Sequence, residues 1–308
     1  MKKGLVSVLL PVYNGEIYLL DMLNSIFNQD YRPIELIIGD DCSSDKSIDI
    51  ILEWRKKYEK EDFSIFVIQN KENIGLAQNI SHLSKKIKGE YIFLADQDDV
   101  WYYTKISEQV KYLTNNEKCM VCLCDRTITN SKLQILINSE YTNAGYKLKT
   151  MSFMEVIKHL YCYASNCMAI RNIGNISDIM DIPKGIIMHD LYITVIASQY
   201  GTVDFLYKPL VYYRIHRNNL SGNYSAQFSG NIIKSFINTY RKSKRIKQSQ
   251  NNDNKVIRKA LLQKYNMDIF HYGGPLCQDH FMRSRLIWSV KQTCIDKKNK
   301  VIGLWVNN

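Results

Sequence analysis

Gly89-Glu90-Tyr91-Ile92-Phe93-Leu94-Ala95-Asp96-Gln97-Asp98-Asp99-Val100-Trp101 is an apolar run that empties into three carboxylates. Its aliphatic and aromatic residues read as a buried strand. Three acids side by side repel one another, and each is costly to bury unpaired, so the stretch makes chemical sense with a cation in place. Mg²⁺ or Mn²⁺ fits. These ions take oxygen ligands and keep positions open for phosphate oxygens, so an Asp-x-Asp at a strand end suggests a site that grips a nucleotide diphosphate through a metal. The plainer alternative is a solvated turn capping the next helix.

The same pattern recurs upstream. Leu5-Val6-Ser7-Val8-Leu9-Leu10 is a short aliphatic strand ending at the turn Pro11-Val12-Tyr13-Asn14-Gly15. Lys2 and Lys3 ahead of it mimic a signal peptide, but the apolar stretch is too short, has no small-x-small site and breaks at Pro11. Ile17, Leu20, Leu23 and Phe27 then fall on one helical stripe. A second strand, Ile34 to Gly39, runs into Asp40-Asp41-Cys42-Ser43-Ser44-Asp45, where Ser43 or Ser44 is placed to cap a helix carrying Ile48, Ile51 and Leu52. The third, Phe63 to Gln69, leads through Asn70-Lys71-Glu72-Asn73-Ile74-Gly75 into a helix with Leu76, Ile80, Leu83 and Ile87 on one side.

Four strand-helix alternations predict an α/β fold with a mostly parallel sheet flanked by helices. Ligands of such sheets lie beyond the carboxyl ends of the strands. Tyr13, the Asp40/Asp41 pair, Asn73-Ile74-Gly75 and the Asp96 to Asp99 cluster all occupy such ends, so one crevice gathers them. That convergence favours the metal reading over four unrelated turns.

Together these residues resemble the inverting glycosyltransferases of family 2, which have the GT-A fold, a mostly parallel sheet with a Rossmann-like nucleotide-binding half. The likeness covers roughly residues 4 to 222. Val6-Ser7-Val8-Leu9-Leu10-Pro11-Val12-Tyr13-Asn14 is similar to the family's opening strand, Asp40 to Asp45 to its Asp-Asp-Gly-Ser-x-Asp, and Gly89 to Trp101 to its Asp-x-Asp segment. The ending Asp-Gln-Asp-Asp-Val-Trp, with Met188-His189-Asp190-Leu191-Tyr192 and Tyr213-Arg214-Ile215-His216-Arg217-Asn218-Asn219-Leu220-Ser221-Gly222, resembles a bacterial branch containing rhamnosyltransferases.

The resemblance implies roles. Asp190 matches the catalytic base. Pro11, Tyr13, Asp41, Asn73, Asp96 and Arg214 match the donor nucleotide site, with Tyr13 against the base, Asp41 hydrogen-bonded to it, and Arg214 suited to phosphate oxygens. Asp98 matches the metal ligand, and His216 a metal or diphosphate contact. Asp99, Trp101 and His189 are supporting or acceptor candidates, Asp99 being equally placed to cap a helix. Two departures stand out: Cys42 replaces the family's glycine, and Leu191-Tyr192 its Trp-Trp pair. If the turn needs a left-handed residue, Cys42 is strained there.

The implied reaction is metal-dependent inverting transfer from a nucleotide sugar to a polyprenyl-diphosphate-linked or oligosaccharide acceptor of a bacterial surface polysaccharide such as a capsule. A dTDP-β-L-rhamnose donor would give an α-rhamnoside, and a UDP-hexose the alternative β-glycoside. A dinucleotide enzyme fits poorly, since Pro11 to Glu16 lacks Gly-x-Gly-x-x-Gly. A non-catalytic nucleotide- or glycan-binding module is the other rival, and retention of Asp98 and Asp190 argues against it.

Composition supplies the setting. The 308 residues include 8 cysteines, three of them alternating in Cys119-Met120-Val121-Cys122-Leu123-Cys124, which reads as a buried strand of reduced thiols and a cytoplasmic protein. No apolar run reaches the length of a membrane span. Residues 241–264 carry nine Lys or Arg against the single acid Asp253, in a chain of net charge +11. Upstream, Ile232, Ile233, Phe236, Ile237 and Tyr240 form an apolar helical stripe. The pair predicts either a helix lying on the anionic inner face of the plasma membrane or a helix packed on the catalytic domain. Nucleic acid is not expected, because the basic run lacks interleaved aromatics. The expected organisation is a catalytic domain over residues 1–222 and a mostly helical region over 223–308.

Overall fold

The computed structural model describes residues 1–143, 149–159, 164–174, 176–186, 188–216 and 219. Its first half consists of the four expected units. Strands β1 (Lys2–Val12), β2 (Ile34–Asp40), β3 (Phe63–Gln69) and β4 (Gly89–Leu94) alternate with helices α1 (Leu19–Phe27), α2 (Ser47–Tyr58) and α3 (Leu76–Ser84). Every residue of β2, and of β1 from Leu5 to Val12, is buried. Burial on both faces is why these runs are continuously aliphatic rather than alternating. β1 is central, with Val8 opposite Leu36 of β2 on one side and Phe93 of β4 on the other, all parallel.

From β1 the chain steps outward through β2 to β3, then returns to place β4 on the other side of β1. The loops leaving β1 and β4 therefore part in opposite directions and open a crevice at the sheet's carboxyl edge. Beyond β4 the sheet becomes mixed. After the two-residue β5 (Val100–Trp101) and helix α4 (Lys105–Asn115) come β6 (Cys119–Thr129), β7 (Ile135–Ile137), α5 (Glu140–Asn143), α6 (Phe153–His159), β8 (Met168–Arg171), α7 (Ile176–Met180), α8 (His189–Ala197) and β9 (Thr202–Arg214). The strand order is β3-β2-β1-β4-β8-β6-β9-β5, with β7 paired to β6. β8 runs antiparallel to both its neighbours, and β5 antiparallel to β9. β6 and β9 pair parallel and, with β8 inverted between β4 and β6, point the same way as β1 to β4, so the sheet is mostly parallel as expected, with β5, β7 and β8 running against it. The alternating cysteines do form a buried strand, in β6, with free thiols.

Two helix faces differ from expectation. α1 buries Leu19, Met22, Leu23 and Ile26, whereas Ile17 and Leu20 are exposed. α2 buries Ile51 and Trp54 while Leu52 faces solvent. The reason is an aromatic cluster: Trp54 packs on Phe27, Tyr58 and Phe63, drawing α1 and α2 together over β3. Nor do Ser43 and Ser44 cap α2. Asp45 accepts from the Ser47 amide at 2.9 Å and its hydroxyl at 2.6 Å instead.

Two compact units divide the chain, Met1–Arg214 and Ile215–Asn308. The sheet belongs to the first. The expected boundary at residue 222 and the basic segment over residues 230–264 lie outside the described residues. Among the described residues no helix is long and apolar enough to cross a membrane.

Candidate active site

The loops after β1, β2 and β4 are tied together by their own polar groups. The Gln97 side chain accepts from the Tyr13 amide at 2.9 Å and donates to the Tyr13 carbonyl at 3.0 Å. A Cβ on Gly15 would stand 2.5 Å from Gln97 Oε1, so any larger residue there would displace the Gln97 side chain from this position. Asn14 Oδ1 accepts from the Ser44 amide at 2.8 Å, and Ser43 Oγ accepts from the Asn14 amide at 3.0 Å. Cys42 has φ +62°, the left-handed conformation for which the family's glycine is suited. The left-handed backbone on which the expectation of strain depended is present.

Asp41 is buried and its carboxylate holds the third loop. Oδ1 accepts from Asn70 Nδ2 and the Ile74 amide, both at 2.9 Å, and Oδ2 from the Gly75 amide at 2.8 Å. Gly75, at φ +83°, then leads into α3. Pro11 is buried beneath the rim, while Tyr13 and Asn73 are exposed on it.

The acidic loop after β4 contains three unlike carboxylates. Asp96 sits at its base and accepts from Ser165 Oγ at 3.0 Å. Burial, then the charges of Asp98 and Asp190, raise it to about 7. Asp190, some ninety residues later in the chain, therefore shares this locus with Asp96 and Asp98. Asp98 is half-buried. Asp99 is fully buried and accepts from the Arg214 amide at 2.9 Å and from Asn166 Nδ2. Burial, with Asp98 and Asp96 alongside, pushes its carboxyl well above the usual range. It does not cap α4, whose N-terminus at Thr104 has no side-chain cap.

Asp190 lies in the first turn of α8, where helix N–H groups favour a carboxylate. Its Oδ1 accepts from the Leu191 amide at 2.8 Å. His189 beside it is buried with neither ring nitrogen bonded to protein, and burial lowers its pKa. Trp101 is core: its ring packs against Phe93, centroids 5.9 Å apart, and beneath the Lys105 ammonium at 5.0 Å.

Arg214 is placed otherwise than the phosphate reading requires. Its guanidinium is buried, donates to Asp21 at 2.7 Å and to the Ser131 carbonyl at 3.1 Å, and stacks over Tyr18 at 4.4 Å. Through its own amide on Asp99 it braces the acidic loop against α1. His216 falls in the second unit, where its amide donates to Asn219 Oδ1. Gln97, Ser165 and Asn166 escaped the sequence reading. Only Gln97, inside the acidic run, carried a local signal.

The donor set suits a hard divalent cation. Among the described residues no three His, Cys, Asp or Glu groups form a metal cage. Mg²⁺ and Mn²⁺ sites next to phosphates commonly rely on one or two carboxylates completed by substrate oxygens, and the mutual repulsion at Asp96 and Asp98 is what such an ion relieves.

Comparison with known proteins bears on the family and the fold. The family model described as Glycosyl transferase family 2 matches residues 7–174. A Bacillus subtilis glycosyltransferase whose name assigns it to teichuronic acid biosynthesis is 36% identical over 111 residues, 36% of this chain and 42% of that protein. An uncharacterised glycosyltransferase of Haemophilus influenzae is 34% identical over 142 residues, 43% of this chain and 55% of that one. These matches span about half of the relatives' own length or less. Among solved structures, S. aureus TarS residues 1–349 with UDP-GlcNAc superposes with TM-score 0.54 at 19% identity, covering 70% of this chain and 59% of that one. The mannosyltransferase PcManGT of Pyrobaculum calidifontis, with GDP-Man and Mn²⁺, gives 0.56 at 14% identity, covering 95% and 87%. At such identities the likeness is one of fold, the GT-A fold.

Proposed function

Because the chain belongs to glycosyl transferase family 2, we propose that it moves a sugar from a nucleotide-diphosphate donor to a glycan acceptor with inversion at the anomeric carbon. The observation that carries this reading is the meeting of Asp96, Asp98 and Asp190, drawn from two distant segments, at the switch point of the parallel sheet. A nucleotide sugar needs its diphosphate neutralised and its acceptor deprotonated. Asp98, with Asp96 behind it, would hold a Mg²⁺ or Mn²⁺ ion. When bound, that ion offsets the charge of the departing diphosphate.

Asp190 takes the acceptor proton. The acceptor oxygen bonds to the anomeric carbon from one face as the bond to the diphosphate oxygen breaks on the other, and the nucleoside diphosphate leaves with the electron pair. The ionised Asp190 also favours positive charge on the sugar ring in the transition state. In this reading Tyr13 and Asn73, exposed on the rim, contact the nucleoside, with Asp41 and Pro11 shaping that rim from below. Arg214 serves by bracing the acidic loop.

The favoured donor is dTDP-β-L-rhamnose, on the strength of the Asp-Gln-Asp-Asp-Val-Trp and Tyr-Arg-x-His segments; UDP-hexoses are the alternative. The acceptor is a growing surface polysaccharide, in keeping with the named role of the Bacillus subtilis relative. The basic stretch over residues 241–264 suits attachment to the inner face of the plasma membrane and a lipid-linked acceptor.

The test has two arms. A panel of sugar nucleotides with Mn²⁺ is screened by thermal stabilisation, a donor at a hundred times its Kd adding about 2.7 kcal/mol. Asp190→Asn should then retain donor affinity while the transfer rate falls by at least about 10²-fold. Near-normal turnover in that variant would remove Asp190 from the role.

A further inference from the structure

α1 and β5 flank a groove of about 300 Å³ that contains none of the residues assigned above to the donor or the metal. Asp21 and Asn24 of α1, Asn28 at its C-terminal cap, and Trp101, Tyr103 and Leu133 line it. Asp21, Asn24 and Asn28 recur three and four residues apart, so they form one stripe of the helix. Short polar residues at such positions contribute little to helix stability. They do present hydrogen-bonding groups. Asn24 Oδ1 accepts from Trp54 Nε1 at 2.9 Å, leaving Nδ2 unbonded to protein, and the Asn28 amide makes no side-chain bond. Asp21 uses Oδ2 for Arg214. Tyr103, also in the lining, is 64% exposed, so its aromatic ring is open to a ligand. Leu133 reaches its place in the turn between β6 and β7 with φ +61°, a conformation costly for leucine.

This lining selects its occupant. No lysine, arginine or histidine lines the groove, and its one carboxylate is already paired with Arg214, so the lining offers no positive charge for phosphate or other anions. The amides disfavour a purely apolar ligand. A carboxylate and two amides sharing one groove with an exposed aromatic ring match a pyranose, whose hydroxyl edge needs paired donors and acceptors and whose C–H face packs on a flat ring. The volume is at the small end of ligand pockets, enough for a short glycan segment. Position supplies the rest. Val100, also in the lining, follows Asp98-Asp99 directly, so the groove opens along the strand that leaves the metal loop.

We infer that this groove is a saccharide subsite holding a sugar unit of the acceptor glycan, an inference that rests on the transferase function proposed above. Saturation-transfer NMR on the full chain, with UDP and Mn²⁺ occupying the donor site, reads it directly. The probes are methyl α-L-rhamnoside, methyl β-D-glucoside and methyl β-D-N-acetylglucosaminide. Ring C–H signals of at least one should appear, Tyr103→Ala should weaken that binding roughly fivefold, equivalent to about 1 kcal/mol, and Asn28→Trp should abolish it by filling the groove. Both sites are exposed, and a thermal melt verifies that each variant is folded. Absence of signal for all three glycosides, or signal unchanged in both variants, overturns the inference while leaving the transferase reading intact. Failure of every sugar nucleotide to stabilise the protein overturns the transferase reading, and with it the acceptor assignment, whatever the glycosides do.

Discussion

Replacing Asp41 separates two roles that one carboxylate can play, holding the rim or reading the nucleobase. The residue is 3% exposed and accepts three hydrogen bonds, from Asn70, Ile74 and Gly75. Bonds to a charged group contribute about 1.5–3 kcal/mol each. They share one acceptor group and are not additive, and the loop they hold reaches solvent at Asn73, so partial rehydration offsets some of the loss. Asp41→Ala should therefore cost about 3–4 kcal/mol, a large part of the roughly 5–15 kcal/mol that stabilises a domain. Asp41→Asn keeps an oxygen for Asn70 and Ile74 but sets an NH₂ against the Gly75 N–H, so about 1–2 kcal/mol is expected. Urea denaturation gives both values, and calorimetric titration with UDP and dTDP in Mn²⁺ gives the affinities. With rim-holding dominant, affinity falls in step with stability across the two variants. Asp41→Ala within about 0.5 kcal/mol of wild type, the range of an ordinary surface change, would refute the reasoning. If that stable variant also lost nucleotide binding, base reading would be its main role.

Three further perturbations follow from buried groups. Glu140→Ala strands the Arg126 guanidinium, which bonds Glu140 at 2.5 Å with both groups buried, and should cost about 3–5 kcal/mol by urea denaturation; a loss under about 1 kcal/mol would mean that water reaches the pair. Cys42→Gly removes a side chain held at φ +62° and should raise stability by roughly 1 kcal/mol, and an unchanged denaturation midpoint would show that the turn bears no strain. His189 is kept neutral by burial, so its folded pKa lies below the unfolded value near about 6.5. As pH falls through that value the unfolded chain takes up a proton that the folded chain refuses. Stability is thus full above it and declines below, toward the folded pKa. His189→Leu should flatten the difference in stability between neutral and mildly acidic buffer, and identical slopes for variant and wild type would assign the acid sensitivity elsewhere.

The strands and their acidic endings were legible in the sequence because they are local. A parallel strand buried on both faces must be continuously apolar, and a polar rim at its carboxyl end interrupts that run abruptly, as at Leu94 to Asp99. The left-handed turn at Cys42 was anticipated only through the resemblance, which has glycine at that position. What the sequence alone did not decide was which of several equivalent groups takes which role. α1 carries apolar residues on more than one side, and the aromatic packing of Trp54 against Phe27 and Phe63 selected Met22 and Ile26 over Ile17 and Leu20. Asp98 and Asp99 are identical neighbours, yet Asp99 is spent on the Arg214 amide and Asn166, 115 and 67 residues away, leaving Asp98 at the crevice. Arg214 was drawn from phosphate toward Asp21 and Tyr18 by contacts 193 residues distant in the chain, and no spacing rule reaches that far. Local periodicity writes the elements into the sequence. The assignment of each charged group depends on the low-dielectric surroundings that only the assembled fold creates.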